Sequence, residues 1–216
     1  MLTTNEVLSR WVIRLWIRVY YAGVSILFDA IEGCCLKSGE ILKKFYAKDG
    51  RTAILRTPRL EDLDDLLELI NSLVEEQAQI YITEKVSREN ETKWLLEVLK
   101  RLENNEQFLL VIEVDKKVVG SADFQIHNGP QGRFGPLGIV IRNGYRNLGI
   151  GTEIMKTLLD KATYFGVSVT VNVLATNKRA IHVYEKVGFT QSGIIAKKHC
   201  RQGKLIDEIV MINLKR

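Results

Sequence analysis

Hydrophobic residues between positions 58 and 75 recur three or four apart, which is the spacing of one face of an α-helix. The residues on this face are Leu60, Leu63, Leu67, Ile70 and Leu73. Thr57 and Pro58 predict where the helix starts, since proline fits the first helical position. The same spacing predicts a second helix over residues 88–103, with Ser87 as its N-terminal cap.

The rest of the chain alternates between strand and helix patterns. Apolar and β-branched runs predict strands over residues 52–56, 108–114, 118–126, 135–142, 167–174, 189–198 and 205–214. Helical spacing predicts two further helices, over residues 151–165 and 177–187. This order predicts an α/β fold in which a mixed sheet carries helices on both faces.

The first fifty residues have a different character. Between residues 11 and 31 the only charged side chains are Arg14, Arg18 and Asp29. A transmembrane helix needs about 20 consecutive apolar residues, and the arginines interrupt such a run. The pattern instead predicts an amphipathic helix on which Arg10, Arg14 and Arg18 form a basic stripe.

We therefore predict an N-terminal helical extension over residues 1–50 and a folded domain over residues 51–216. The amphipathic segment, residues 5–31, is expected either to pack against its own domain or to associate with a membrane surface, a partner or a second copy of the chain. A third interpretation is that the assigned start lies too far upstream. The expected location is the cytoplasm, with peripheral membrane association and a homodimer left open.

Composition narrows the classes of function. The 216 residues include 46% hydrophobic residues, which is normal for a folded protein and excludes a mostly disordered chain. The net charge of +5 suits an anionic ligand, but it is too small and scattered to indicate nucleic-acid binding. The three cysteines form neither a disulfide framework nor a zinc spacing, so we expect a reducing compartment and no metal.

The most informative segment joins a predicted strand to a predicted helix. The strand ends at Ile141, the helix begins near Gly151, and Arg146 and Gly149 lie between them. The first N–H groups of a helix are free to bind an anion, and glycines let the backbone approach phosphate oxygens closely. This turn therefore predicts a phosphate site, with Arg146 as a fixed positive charge beside it.

Arg146, Gly149 and Gly151 fit the R/Q-x-x-G-x-G/A signature of the GNAT N-acetyltransferase superfamily, which also follows a strand and opens a helix. A second segment, from Asn177 to Phe189, resembles the family pattern N-x-x-A-I-x-x-Y-x-K-x-G-F. The chain is most similar to the branch with amino-acid, spermidine and ribosomal-protein N-acetyltransferases. The resemblance implies the GNAT fold, with a mostly antiparallel central sheet that splays at the cofactor site.

The resemblance also implies a site for acetyl-CoA as co-substrate. The strand before the signature would bind the pantetheine arm through its backbone, and the amides of the turn would bind the pyrophosphate beside Arg146. Asn177 also fits the N-terminal cap of the helix over residues 177–187. In the family it would form a hydrogen bond with the cofactor arm. The cofactor-binding residues implied in this way are Ile139, Val140, Ile141, Arg146, Asn147, Leu148, Gly149, Ile150, Gly151, Thr152 and Asn177.

Tyr184 is the catalytic residue that the resemblance implies, as the general acid that protonates the departing thiolate. The general base is left open. Some protein-acetylating relatives carry a glutamate where this chain has Asn172, and an amide has no basic lone pair at neutral pH. A water relay, an acidic residue from the loops before the signature, and His127 are the alternatives.

The expected function is transfer of an acetyl group from acetyl-CoA to a primary amine by direct attack. The alternative is a non-catalytic CoA-binding or sensor domain tethered by the N-terminal helix. The amine is a free amino acid, a polyamine, a protein N-terminus or a lysine side chain. Acidic residues concentrated over positions 61–76 favour a polyamine, although a solvated helix face explains them equally well.

Overall fold

The computed structural model describes residues 37–130 and 132–213. Within these residues nine strands form one sheet in the order β1-β2-β3-β4-β6-β7-β9-β8, with β5 paired to the start of β6. The strands are β1 (Ile41–Tyr46), β2 (Thr52–Arg56), β3 (Gln107–Val114), β4 (Lys117–Gln125), β5 (His127–Gly129), β6 (Gly132–Ile141), β7 (Val167–Leu174), β8 (Phe189–Arg201) and β9 (Lys204–Asn213). The helices are α1 (Leu63–Glu75), α2 (Arg88–Glu103), α3 (Ile150–Tyr164) and α4 (Lys178–Lys186).

The sheet is mixed and mostly antiparallel, as predicted. Among the strand pairs of the described residues, only β6 and β7 run parallel. Alternate residues of β3 enter different hydrophobic clusters, because successive side chains of a strand point to opposite faces. Leu109 and Val111 pack with α1 and α2, whereas Leu110 and Ile112 belong to the cluster that contains α3. Helices therefore cover both faces of the sheet.

Most predicted elements are found within a few residues of their expected bounds. Ser87 caps α2, with its hydroxyl accepting a hydrogen bond from the backbone N–H of Asn90 at 3.2 Å. The start of α1 was predicted too early, because Arg59 is still extended at φ −137°, ψ 163°. Residues 60–62 then form a single 3-10 turn, so Pro58 lies before the helix and not at its first position.

The predicted boundary at residue 50 is also too late, because the sheet begins upstream of it. Strand β1 pairs with β2 in antiparallel register, from Ile41 opposite Arg56 to Tyr46 opposite Thr52. Residues 37–50 therefore belong to the folded domain. The helical extension itself, including residues 5–31, lies outside the described residues and stays a prediction. In the part of the chain that the structure describes, no helix is long and apolar enough to cross a membrane.

Candidate active site

The parallel strands β6 and β7 separate part-way along their length. They pair from Arg133 opposite Val167 to Pro136 opposite Thr170, and no further. Beyond Pro136, which has no N–H to continue a ladder, β6 pairs only with β4, and β7 pairs with β9. The sheet therefore splays here, as the fold prediction required.

A cleft of about 950 Å³ opens beside the splayed end of β6. Its walls come from β1, the segment after α1, the end of β6, the start of α3 and the start of α4. Ten of the eleven predicted cofactor residues line it: Ile139, Val140, Ile141, Arg146, Asn147, Leu148, Gly149, Gly151, Thr152 and Asn177. The eleventh, Ile150, is only 1% exposed because its side chain packs in the core.

The turn into α3 has the conformation that its glycine suggests. Gly149 precedes the helix at φ 83°, and Asn147 lies at φ 64°. Both values are in the left-handed region, where glycine has no Cβ penalty. Because Gly149, Gly151 and Thr152 line the cleft, the N-terminus of α3 adjoins it with the positive end of the helix dipole.

Several lysine and arginine side chains line the cleft and are called the basic rim below; the sequence analysis missed them. Besides Arg146 they are Lys48, Lys156, Lys178, Arg179 and Lys186, and His182 lines the cleft as well. Lys48 follows β1, and its backbone N–H donates to the carbonyl of Leu148 at 3.0 Å. The Lys178 and Arg179 pair directly after Asn177 was the available signal for part of this rim. The cleft thus combines helix amides with positive charge, which suits a phosphorylated ligand.

The comparisons with known proteins agree with this geometry. The sequence profile of the acetyltransferase (GNAT) domain matches residues 53–190. The chain belongs to the GNAT acetyltransferase family.

Two solved structures and one characterised sequence illustrate the relationship. An N-alpha-acetyltransferase of Sulfurisphaera tokodaii is 25% identical over 162 residues, which are 69% of this chain and 87% of the relative. A GNAT acetyltransferase from Streptococcus pneumoniae superposes with a TM-score of 0.67 at 23% identity, covering 76% of this chain and 99% of its own. A GNAT phosphinothricin acetyltransferase from Sinorhizobium meliloti, solved with acetyl-CoA, superposes with a TM-score of 0.66 at 19% identity. The superposition covers 74% of this chain and 87% of the neighbour.

In this GNAT domain Arg146 is already bound on two sides. Its Nε donates to the backbone carbonyl of Ile141 at 2.7 Å, which holds the guanidinium at the end of β6. Its terminal nitrogens pair with the carboxylate of Glu76, just after α1. A phosphate that approaches this edge of the cleft therefore meets an arginine with a carboxylate partner.

Asn177 serves the fold as well as the cleft. Its Oδ1 accepts a hydrogen bond from the backbone N–H of Ala180 at 3.2 Å, which caps α4 as the sequence predicted. Its Nδ2 donates to the carbonyl of Gln79 at 3.4 Å. The side chain thus joins the start of α4 to the segment after α1.

Tyr184 lies on the inner face of α4, away from the cleft lining. The side chain is 4% exposed and packs against Phe189, with ring centroids 5.9 Å apart. Burial raises the pKa of its hydroxyl to about 12. The hydroxyl is therefore protonated throughout the physiological range.

The acidic region over residues 61–76 is largely neutralised within the domain. Asp62 is buried against Arg56, with both carboxylate oxygens 2.7 Å from the guanidinium. Four other acids pair with basic side chains, in Asp64–Arg88, Glu68–Lys117, Glu68–Arg142, Glu75–Lys85 and Glu76–Arg146. Asp65 accepts a hydrogen bond from the backbone N–H of Val118, and Glu61 is exposed. Most acids of this region therefore have a partner within the domain.

Two positions discussed with the general base are exposed on the sheet. Asn172 is exposed on β7, and His127 is exposed on β5 with its ring against Phe134. Across residues 37–130 and 132–213 there is also no group of three or more His, Cys, Asp or Glu side chains that could hold a metal ion.

Proposed function

We propose that this GNAT domain transfers the acetyl group of acetyl-CoA to a primary amine by direct attack on the thioester. The observation that carries the proposal is the cleft at the separation of β6 and β7, with the N-terminal turn of α3 at one wall. Acetyl-CoA in complex with a structural neighbour of the same fold supports the choice of co-substrate.

The cleft offers a partner for each part of such a ligand. The amides of residues 147–152 suit the pyrophosphate, and the basic rim suits the remaining phosphate. The end of β6, at Ile139, Val140 and Ile141, no longer pairs with β7, so its free edge suits the amides of the pantetheine arm. Backbone N–H groups at this edge would also polarise the thioester carbonyl as the amine attacks.

Tyr184 is the proposed general acid. The amine forms the new C–N bond, the C–S bond breaks, and the departing sulfur takes the hydroxyl proton of Tyr184. The proton that the amide nitrogen loses then restores the hydroxyl. The support for this role is the match of Tyr184 to the tyrosine of the family pattern. The pKa of about 12 leaves the proton on the hydroxyl at physiological pH, as an ordinary tyrosine pKa would.

The acceptor that we favour is the α-amino group of a protein or peptide. The Sulfurisphaera tokodaii relative is named as an N-alpha-acetyltransferase. Because most acids over residues 61–76 pair with basic side chains, this region gives less support to a polyamine than its composition suggests.

An amine panel tests the proposal. The purified chain would be incubated with acetyl-CoA and, in turn, a peptide with a free N-terminus, an N-terminally blocked peptide with one lysine, spermidine and free alanine. We expect release of free CoA with the first peptide, and a mass increase of one acetyl group on it. Binding of acetyl-CoA without transfer to any amine would instead favour the non-catalytic CoA-binding domain.

A further inference from the structure

A buried carboxylate lies in the hairpin formed by β8 and β9. Glu208 is 1% exposed. Its carboxylate is hydrogen-bonded by the hydroxyl of Tyr81 at 2.9 Å, by Nζ of Lys198 at 2.5 Å and by Nε2 of His199 at 2.7 Å. Burial raises the pKa of Glu208, but these three hydrogen bonds outweigh burial and hold the pKa below its ordinary value. The carboxylate is therefore ionised at neutral pH.

The backbone of β8 is distorted where it contributes to this cluster. The register with β9 shifts between Ile195 and His199, and Lys197 lies at φ 53°. Such a bulge redirects side chains, and a non-glycine residue in the left-handed region costs about 1 kcal/mol or more. Here it leaves consecutive residues, Lys198 and His199, both in contact with Glu208. Strain of this kind often marks a functional position.

The cluster adjoins the cleft through the segment that follows α1. Gln79 accepts a hydrogen bond from the hydroxyl of Thr176 at 2.7 Å and another from Asn177, and all three residues line the cleft. Tyr81, two residues later, stacks on His199 with ring centroids 4.9 Å apart.

Strand register also places the cluster next to the cleft. Glu208 lies opposite Leu174 at the end of β7, and the cleft-lining residues Thr176 and Asn177 follow that strand. Burial, together with the hydrogen bond and charge of Glu208, raises the pKa of Tyr81.

The chemistry of the contact fixes which nitrogen of His199 is basic. An ionised carboxylate has no proton to give, so the 2.7 Å contact requires the proton to be on Nε2 of the imidazole. In the neutral ring Nδ1 then carries the lone pair. The His199 side chain is 23% exposed, so it is open to solvent while Glu208 holds it in place. In the carboxylate–histidine pair of a serine hydrolase, likewise, the carboxylate orients the imidazole and the other ring nitrogen accepts the proton.

We propose that His199, oriented by Glu208, is the general base that accepts the proton of the acceptor ammonium. The inference rests on the proposed function and supplies the base that Asn172 cannot. The ammonium gives one proton to Nδ1 and becomes a neutral amine with a lone pair for attack. The imidazolium that forms is stabilised by the carboxylate of Glu208 and afterwards releases its proton to water. Lys198 and Tyr81 are the other titratable groups in contact with this carboxylate.

The test replaces the base and keeps its hydrogen bond. In His199→Gln the side-chain amide can still donate to Glu208 but has no basic nitrogen. With the N-terminal peptide, we expect kcat to fall about 100-fold at neutral pH, with acetyl-CoA affinity unchanged. The loss should shrink as pH rises, because the amine then deprotonates in solution. His199→Ala provides a second readout, since added imidazole should restore part of its turnover.

Two further variants serve as comparisons. His127→Gln, at an exposed histidine of β5, should transfer at the wild-type rate. Asp123→Asn addresses an acid of β4 whose pKa is raised to about 6 by partial burial, despite a hydrogen bond from Gln107. A large loss in Asp123→Asn with normal His199→Gln would overturn the inference in favour of Asp123.

The remaining outcomes separate the two proposals. If His199→Gln stays within twofold of wild type, or loses the same fraction of activity at every pH, His199 is not the base. If the wild-type protein binds acetyl-CoA but acetylates no amine, the proposed function fails, and this inference fails with it.

Discussion

At the scale of single residues, the turn before α3 has a backbone conformation that favours glycine at position 149. Gly149 lies at φ 83°, and a Cβ there would meet nothing closer than Lys48 at 3.9 Å. The requirement for glycine is therefore one of backbone conformation and ligand approach, not of packing within the protein. Gly166, after α3, has a similar φ of 64° and open surroundings, but it lies away from the cleft.

This pair of glycines gives a matched test of the phosphate turn. Gly149→Val and Gly166→Val should each destabilise the domain by about 1–2 kcal/mol, because valine is strained in the left-handed region. Only Gly149→Val should lower acetyl-CoA affinity, by at least tenfold or about 1.4 kcal/mol, measured by isothermal titration. Equal affinities in the two variants would remove the turn from the cofactor site.

Tyr184 allows a second test at this scale. Tyr184→Phe removes only the buried hydroxyl, so we expect wild-type acetyl-CoA affinity and a loss of turnover of about 100-fold. Since the pKa of this hydroxyl is about 12, the wild-type enzyme should keep the proton donor up to that pH, and the alkaline limb of the pH profile should be the same in both proteins. Tyr164→Phe, at a tyrosine that is 59% exposed, is the control. Turnover within twofold of wild type in Tyr184→Phe would exclude the general-acid role.

At the scale of elements, the segment between α1 and α2 connects the parts of the site. Glu76 of this segment pairs with Arg146 in the turn after β6, and Tyr81 donates a hydrogen bond to Glu208 on β9. The carbonyl of Ala78 accepts a hydrogen bond from Arg201, at the end of β8, at 2.8 Å. A ligand phosphate bound at this turn would compete with Glu76 for the same guanidinium. That competition would couple cofactor binding to the position of this segment.

Removing that competition should strengthen cofactor binding. In Glu76→Gln, Arg146 loses its charged partner, and we expect acetyl-CoA affinity to rise two- to fivefold, since a partly exposed ion pair contributes about 0.5–1 kcal/mol. Glu75→Gln removes an acid that is 61% exposed and paired with Lys85, so it should leave affinity unchanged. Titration at low and high salt would check both. Weaker binding in Glu76→Gln would mean that Arg146 needs Glu76 to hold its position.

At the scale of the whole molecule, β1 belongs to the folded domain although it precedes residue 53, where the match to the GNAT family begins. The strand pairs with β2, and Lys43 forms a 2.7 Å ion pair with Glu153 in the first turn of α3. Phe45 and Tyr46 form part of the cleft wall. The domain that carries the site therefore starts before the match to the family profile at residue 53.

Truncation should reveal this boundary. Residues 37–216 should keep the urea midpoint and acetyl-CoA affinity of the full chain, whereas residues 51–216 should lose about 2 kcal/mol or more of unfolding free energy along with one cleft wall. Denaturation curves and titrations of the three proteins would make the comparison. Wild-type stability for residues 51–216 would show that β1 is dispensable.

The sequence by itself determined the local elements and the outline of the cofactor cleft. Periodicity located four helices and most strands, and Gly149, Gly151 and Asn177 marked turns and caps whose geometry depends on neighbouring residues in the chain. These features could be predicted because their hydrogen bonds close over a few positions, as in the cap from Asn177 to Ala180.

The tertiary structure alone decided the contacts between distant segments. Strand β1 joins the sheet through register with β2, Glu76 pairs with Arg146 across 70 positions, and Tyr81 reaches Glu208 across 127. The spacing of residues along the chain does not predict such pairings, because they depend on the order of the strands in the sheet. The contact between His199 and Glu208 depends in addition on the bulge in β8. The proposed base was therefore invisible in the sequence, where His199 was one residue of a basic run. It became a candidate only when folding placed an ionised carboxylate against its ring.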